Sequence, residues 1–152
     1  MPDGFVRRLI NFWPPLLFSG IKSAIAGDWR SAKVELRLRW WNRNAVHSMF
    51  GGSLFAMTDP FYPLMLQHHL GRDYAVWTKS ARIDFLAPGR GVAFASFSLS
   101  DEQIEALREA TASGAPAAPI FKTEIRDRAG GVIAVTESTV HVRRKKRGGA
   151  PV

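Results

Sequence analysis

The chain of 152 residues contains no cysteine and is short of negative charge. The absence of cysteine excludes disulfides, thiol catalysis and cysteine metal sites, and it is typical of a reducing compartment, so we expect a cytoplasmic protein. The 13 acidic residues are outnumbered by 21 basic ones, which gives a formal charge of +8. This excess favours anionic partners, such as a nucleotide phosphate or a membrane surface. No nucleic-acid-binding signature accompanies it, so we expect no nucleic-acid partner.

The chain also lacks an apolar run of the roughly 20 residues that a membrane-spanning helix requires. Its most apolar N-terminal stretch, Leu9–Phe18, is interrupted by Pro14 and Pro15. The stretch imitates a secretory signal, but the two prolines and the nearby Lys22 argue against one. We therefore predict an amphipathic helical extension over residues 1–30 that docks on the domain. A position at a membrane interface is the second interpretation.

Residues 31–145 have the pattern of a single α+β domain. Alternation over Lys33–Trp41 predicts a half-buried strand, with Val34, Leu36, Leu38 and Trp40 on its apolar face. Ser53–Leu70, which is apolar on most sides, predicts one long central helix. A helix of that kind needs a curved antiparallel sheet, here of about five strands, to wrap it. The basic run Arg143–Arg147 leads into residues 146–152, which we predict to be a disordered-like basic tail. The four later strands and one short helix are predicted at Tyr74–Pro88, Val92–Leu99, 101–113 (helix), Ile120–Asp127 and Val132–Arg143. A capping box from Ser100 to Gln103 starts that helix, and Ile104 and Leu107 follow at the spacing of its apolar face.

The segment 44–60 carries the residues that indicate chemistry. Gly51 and Gly52 open the central helix, where bare backbone N–H groups and the helix dipole favour a polarised carbonyl. Asp59 lies within an apolar helix, where a carboxylate is rare unless it is paired, exposed or used. Pro60 removes a backbone donor and predicts a kink beside it. The alternative interpretation is that Asp59 caps N–H groups near that kink.

Gly51 and Asp59 are eight residues apart. On a continuous helix this spacing corresponds to about 12 Å along the axis and roughly 80° around it. One carbonyl cannot contact both residues, since reacting groups must approach to about 3 Å. If both residues serve one reaction, they come from two chains. The sequence therefore predicts a composite site at a homodimer interface, and a dimer of dimers is compatible with it.

The layout and the spacing of Asn44, Gly51-Gly52 and Asp59 resemble the hotdog-fold acyl-CoA thioesterases of the phenylacetate-pathway type. The pattern in that family is Asn-x-x-Gly-x-x-His-Gly-Gly, with an acidic residue eight positions after the first glycine of the pair. Two positions depart from it: His47 stands at the earlier glycine, and Phe50 stands at the histidine. An uncharacterised branch of the same superfamily, a domain of unknown function, is more similar still. That likeness is carried by Trp40–Asn44, Phe50–Ser53, Thr58–Phe61 and Phe85–Arg90.

The resemblance implies a hotdog fold and hydrolysis of an acyl-CoA thioester without a cofactor or metal. The backbone N–H of Gly51 or Gly52 would hold the thioester carbonyl. Asp59 would act as general base on water, or as nucleophile through a mixed anhydride. Asn44 would position the water or the carbonyl. Thr78 falls where some relatives place a hydroxyl that helps to hold the water.

The resemblance also implies a substrate-binding set. Basic side chains near the pocket mouth would meet the phosphates of coenzyme A, and apolar or aromatic side chains would line the acyl slot. The same residues also have simpler interpretations as solvated charges, a bystander histidine and core. The alternative function is a non-catalytic acyl- or CoA-binding protein, which the phenylalanine in place of histidine favours. The set comprises Lys79, Arg82, Arg90, Phe50, His47, Phe55 and Tyr62.

Overall fold

A computed structural model describes residues 6–7 and 9–145. After a short 3-10 turn (Ile10–Phe12), the helices are α1 (Pro14–Ser19), α2 (Gly51–Ala56), α3 (Phe61–Leu70) and α4 (Asp101–Ala110). The strands are β1 (Ile21–Ile25), β2 (Ser31–Arg37), β3 (Tyr74–Phe85), β4 (Val92–Ser98), β5 (Ile120–Asp127) and β6 (Val132–Arg144). They form one six-stranded antiparallel sheet in the order β1-β2-β4-β5-β6-β3.

The sheet curls around α3, as the apolar character of that helix predicts. Phe61, Met65 and Leu66 are fully buried within it. The ring of Phe61 packs against Phe97 of β4 with centroids 5.0 Å apart. Alternate residues of the strands supply the opposing wall of the core, and Leu36 of β2 is completely buried. The predicted curved sheet around a central helix is therefore confirmed.

The central helix is interrupted between Ala56 and Phe61, so α2 and α3 are separate helices. Pro60 has no N–H to donate to the carbonyl of Ala56, and the chain makes a turn there. The hydroxyl of Thr58 donates to the carbonyl of Phe55 at 2.9 Å and closes the last turn of α2. The kink that Pro60 predicts is confirmed, and Asp59 lies in it.

Strand β2 ends at Arg37, four residues before the predicted end at Trp41. The side chain of Asn42 folds the chain back, because its Nδ2 donates to the Arg37 carbonyl at 2.8 Å and its Oδ1 accepts from the Arg39 N–H at 2.6 Å. Trp40 consequently leaves the buried face of the strand and is 77% exposed. The predicted burial of Trp40 is wrong for this reason.

Strand β1 is absent from the prediction, which placed a helical extension over residues 1–30. The described helices of that segment end at Ser19, and Ile21–Ile25 pairs with β2 along its whole length. Ile21 and Ile25 are buried in the core. Their spacing of four residues fits a helix as well as a strand, so it did not distinguish the two. The predicted tail, residues 146–152, lies outside the described residues.

Strand β3 contains a register shift between Thr78 and Ser80. Regular alternation would place Trp77 on the same face as Ile83. The shift instead turns Trp77 to the outer face, where its ring stacks on His141 at 4.0 Å, while Ile83 stays opposite the buried Thr136 of β6. The predicted later elements agree closely, including the β5–β6 hairpin and the Ser100 capping box that starts α4.

Candidate functional site

A cavity of about 390 Å³ lies where the start of α2 meets the loop that follows β3. The two loops that frame it are joined by a hydrogen bond from the Met49 N–H to the Gly89 carbonyl at 2.9 Å. The wall is largely apolar, with two polar side chains and one glycine at the helix start. It is formed by Asn44, Ser48, Met49, Gly51, Leu54 and Phe85–Gly89.

Asn44 organises the polar side of this cavity. Its Oδ1 accepts from the N–H groups of Val46 and Ser48 at 3.1 and 3.0 Å, and its Nδ2 donates to Ser48 Oγ at 2.8 Å. These bonds hold a tight loop in which His47 adopts a positive φ of 60° and is exposed. Ser48 is 4% exposed, and its hydroxyl has no acceptor among the described residues. Asn44 thus presents Ser48 as a donor at the cavity wall.

The start of α2 supplies two further donors. The carbonyl of Phe50 accepts from the N–H groups of Ser53 and Leu54. The N–H groups of Gly51 and Gly52 come before that first helical bond and have no acceptor within the described ranges. Unpaired N–H groups at a helix start carry partial positive charge. Gly51 places this potential in the cavity wall.

Two phenyl rings explain why both positions are glycine. A Cβ atom on Gly51 would lie 2.8 Å from Cζ of Phe85, and one on Gly52 would collide with the ring of Phe50. Any other residue would displace these rings. Phe85 and Phe50 are themselves 54% and 55% exposed, so the rings that cover the helix start are uncovered on their other sides.

Among the described residues, none that lines the cavity has a titratable side chain. Asp59, the predicted base, is exposed in the turn after α2 and is not part of the wall. The side chain of Asp59 accepts no hydrogen bond from the described N–H groups at the start of α3, so it does not cap them as the alternative interpretation expects. Of the predicted catalytic residues, one chain brings Asn44 and Gly51 together, but it does not bring Asp59 to them.

The remaining residues that were predicted to be catalytic or to line the acyl slot do not lie together in the structure. Gly52 and Thr78 do not line the cavity; Thr78 is half-buried on β3, opposite the buried Val140 of β6. Phe55 lies farther along α2 and is partly buried. Tyr62 is 8% exposed, stacks on Phe121 with centroids 4.1 Å apart, and has its pKa raised by burial. Tyr62 is thus a core residue in this chain.

The three basic residues predicted to meet phosphates lie outside the cavity wall. Lys79 is at the bulge of β3, and Arg82 forms an exposed ion pair with Asp84 at 3.3 Å on the same strand. Arg90 is exposed in the loop directly after the lining residue Gly89. Their common location is therefore β3 and the loop that follows it, beside the cavity.

The cavity adjoins an open sheet edge. The Leu86 N–H donates to the Ile133 carbonyl at 2.9 Å, so alternation along the ladder turns the N–H groups of Phe85, Ile83 and Ala81 away from β6. Among the described strands, none pairs with that side of β3. Phe85 belongs both to this edge and to the cavity wall, so a chain that paired with β3 would come close to the cavity.

Several wall residues were not predicted. Ser48 and Met49 are polar and apolar residues of an irregular loop, for which periodicity gives no signal. The loop 86–89 did carry a signal in the sequence, because it belongs to the segment Phe85–Arg90 that resembles the uncharacterised branch. Among the described residues, there is no group of three or more acidic or histidine side chains that could bind a metal ion. The helices described are also too short or too polar to cross a bilayer.

A curled antiparallel sheet around a buried helix defines the hotdog fold, and two solved structures share it along nearly their whole length. PA5026 of Pseudomonas aeruginosa, a protein of unknown function and probable thioesterase, matches with a TM-score of 0.81 and 19% identity over 95% of this chain and 97% of its own. The thioesterase HI1161 of Haemophilus influenzae matches with a TM-score of 0.68 and 14% identity over 95% and 92%. At such identity the likeness concerns the fold.

The family follows from a separate comparison. The sequence profile of "Domain of unknown function (DUF4442)" matches residues 6–142, and the chain belongs to that family. No protein of curated function is significantly similar to it. The resemblance to a domain of unknown function is thereby confirmed, and the hotdog fold that it implies is the fold observed.

Proposed function

We propose that this protein is an acyl-CoA thioesterase whose site is shared between two copies of the chain. The observation that carries the proposal is a cavity with unpaired backbone and hydroxyl donors but no base of its own. Two structural neighbours named as a thioesterase and a probable thioesterase support the reaction class. We place the reaction in the cytoplasm, which the cysteine-free sequence favours.

The donors of the cavity would bind the thioester carbonyl. The Gly51 N–H at the start of α2 is suited to an oxygen that becomes negative during attack, because the donor is fixed before the reaction begins. The Ser48 hydroxyl, oriented by Asn44, would donate to the same oxygen or to the attacking water. Asn44 then acts mainly by positioning Ser48, rather than by contacting substrate itself.

A carboxylate must complete the site. Asp59 of the second chain would take a proton from water while the water oxygen attacks the carbonyl carbon, giving a tetrahedral intermediate held at Gly51. Collapse of that intermediate breaks the carbon–sulfur bond, and the thiolate leaving group takes the proton back. The products are a carboxylic acid and free thiol. Direct attack by Asp59 would pass through a mixed anhydride, which water then hydrolyses.

The open edge of β3 is the proposed contact between the two chains. Strand addition there would pair the free N–H groups of Ala81 and Ile83, and a second copy would cover Phe85 and Phe50. An isologous contact through β3 places both cavities beside the same interface. This arrangement allows Asp59 of one copy to serve the cavity of the other.

The substrate would span the cavity and its basic surroundings. Met49, Leu54 and Leu86 offer an apolar wall for a fatty or aromatic acyl group. Lys79, Arg82 and Arg90, on β3 and the following loop, would meet the phosphates of coenzyme A.

The alternative is a protein that binds an acyl group or coenzyme A without hydrolysing it. Phe50 favours this alternative, because it occupies the position of the family's histidine and its ring covers Gly52. The cavity without a titratable side chain is consistent with it as well.

Thiol release from a series of acyl-CoA chain lengths tests the proposal. We expect Asp59→Asn to lower kcat by roughly 100-fold or more, the lower range for loss of a general base. Asp73→Asn is the matched control, since Asp73 is also exposed and its side chain has no partner among the described residues. Full turnover in Asp59→Asn would remove Asp59 from the chemistry. Saturable CoA binding with no hydrolysis of any thioester would establish the alternative.

Mixed dimers test the shared site. Gly51→Ala should displace the Phe85 ring, which lines the cavity, so this variant and Asp59→Asn are each expected to be inactive. If the site takes Gly51 from one chain and Asp59 from the other, a dimer of the two variants contains one intact site and recovers activity. Co-expression with two affinity tags isolates that dimer. A purified mixed dimer without activity would contradict the shared site.

A further inference from the structure

Six large apolar side chains are exposed together where the N-terminal segment meets the loop after β2. They make up almost half of the 13 large hydrophobic residues that are exposed in the described part of the chain. The most exposed are Phe12, Phe18 and Trp40, at 68%, 73% and 77%. We refer to the set as the aromatic surface; it consists of Phe12, Trp13, Leu17, Phe18, Trp40 and Trp41.

The aromatic surface is held in place by hydrogen bonds. Trp41 Nε1 donates to the Phe18 carbonyl at 3.0 Å, and Asn42 Nδ2 donates to the Ser19 carbonyl at 2.9 Å. The rings of Trp40 and Trp41 meet edge to face with centroids 5.6 Å apart. Since α1 is tied to the loop after β2, these side chains share a fixed arrangement although they come from distant parts of the sequence.

Positive charge lies within the same surface. A second cavity, of about 510 Å³, is lined by Phe12, Leu17 and Trp41 together with three basic side chains, Lys22, Arg37 and Arg39. Arg37 is ion-paired with Glu35. Lys22 and Arg39 have no acidic partner among the described residues, so their charge is available to an anionic partner.

We propose that the aromatic surface docks on a bilayer containing anionic lipid. Tryptophan prefers the interface between headgroups and acyl chains, and basic side chains beside it are attracted to a negative membrane surface. A short amphipathic segment with this composition lies in the interfacial plane rather than crossing the bilayer. The partner is thus defined by its chemistry: an apolar layer for the rings and phosphate groups for Lys22 and Arg39.

A second copy of the chain is the less favourable occupant. An isologous contact through the aromatic surface would place two copies of the same surface face to face, and each would bring the positive charges of Lys22 and Arg39 to the contact. Like charges brought together at a desolvated contact are costly. An anionic bilayer removes that cost and supplies the opposite charge. Docking is independent of thioester hydrolysis, and its test does not rely on catalytic activity.

Vesicle flotation with the full chain tests docking. We expect the protein to float with vesicles of phosphatidylcholine and phosphatidylglycerol and to bind phosphatidylcholine alone more weakly. Replacing Phe12, Phe18 and Trp40 by Ser should lower the partition coefficient by about tenfold or more. Lys22→Gln with Arg39→Gln should lower it on anionic vesicles alone, by a factor of about five for each charge.

The control is Ile120→Ser, since Ile120 is 63% exposed but lies on β5, away from the aromatic surface. Every variant keeps the basic C-terminal run, so a loss of vesicle binding is caused by the change in the aromatic surface and not by the tail. Wild-type protein that stays with the unbound fraction at low salt would overturn the proposal. So would a triple variant that binds as well as Ile120→Ser. A smaller oligomer in the triple variant, with vesicle binding unchanged, would assign the surface to a second copy instead.

Discussion

The two edges of the sheet differ in how far other parts of the chain cover them. At the β1 edge, the side chain of Asn11 pairs with the backbone of Ser23: Nδ2 donates to its carbonyl at 2.9 Å, and Oδ1 accepts from its N–H at 2.7 Å. An asparagine side chain thus replaces a neighbouring strand at the middle of β1. At the β3 edge, the side chain of Gln67 donates only to the carbonyl of the first residue, Tyr74, at 3.3 Å. No described residue covers the rest of the strand, which is more than twice as long as β1.

The difference leaves the β3 edge as the side of the sheet that is suited to pairing with another chain. An uncovered edge strand is a template for pairing with another chain, and a covered edge is not. The N-terminal segment therefore does more than extend the domain, because it closes the edge that the proposed dimer does not use. The candidate cavity lies at the open end, next to Phe85, where a second chain could complete it.

The largest expected effect comes from closing the open edge. Ala81→Pro removes an N–H that faces away from β6, so the β3–β6 ladder should persist while pairing with a second chain is lost. We expect the dimer dissociation constant to rise by roughly 100-fold, equivalent to about 2.7 kcal/mol, and thioesterase activity to fall with it. Analytical ultracentrifugation measures the change.

Ala81→Val is the control for that experiment, because it keeps the N–H and remains suited to a strand. A proline variant that dimerises as tightly as the valine variant would show that the chains do not associate through β3. Circular dichroism should show that both variants keep the native fold.

A smaller effect, on the free energy of unfolding, is expected when the cover of the β1 edge is removed. Asn11→Ala leaves the N–H and carbonyl of Ser23 without their partner, and we expect it to lower the free energy of unfolding by about 1–3 kcal/mol. Urea denaturation measures this change. Ser23→Ala is the matched control, since it removes only the side-chain bond to Asn11 and keeps both backbone bonds. Equal stability of the two variants would mean that Asn11 does not protect the edge.

Acidification is expected to have the smallest effect on stability. The residue that responds is His141 of β6, the strand beside β3. Burial, with Lys79 and Arg143 nearby, lowers the pKa of His141 below its ordinary value of 6.5. The unfolded chain therefore binds this proton at higher pH than the folded chain does. The stability that neutral His141 contributes is present above pH 6.5 and is lost as the pH falls through the interval below that value.

Thermal unfolding at pH 7.5 and 5.5 measures this contribution. Wild-type protein should lose about 1–2 °C more in melting temperature than His141→Gln over that interval. Burial also lowers the pKa of His69, but this residue is present in both proteins and cancels in the comparison. Identical pH dependence in the two proteins would mean that His141 does not contribute.

The residues that were predicted well are those whose positions follow from local spacing. The capping box at Ser100, the buried Ile104 and Leu107 of α4, and the kink near Asp59 each depend on neighbours within one or two turns. The residues that were misplaced depend on distant contacts. Trp40 leaves the sheet because Asn42 folds the chain back, and Ser48 enters the cavity because the loop before α2 is bonded to Gly89.

The sequence by itself determined the elements of the fold from β2 onward, the glycine pair at a helix start and an aspartate that the same helix cannot bring to that start. These follow from the periods of helix and strand and from the conformational limits of glycine and proline. Only the tertiary structure decided that Phe85 and Phe50 occupy the space above the glycines, that Asn11 closes one sheet edge, and that the cavity has no base of its own. The physical reason is that these features arise where distant segments meet, and local spacing does not specify which segments do so.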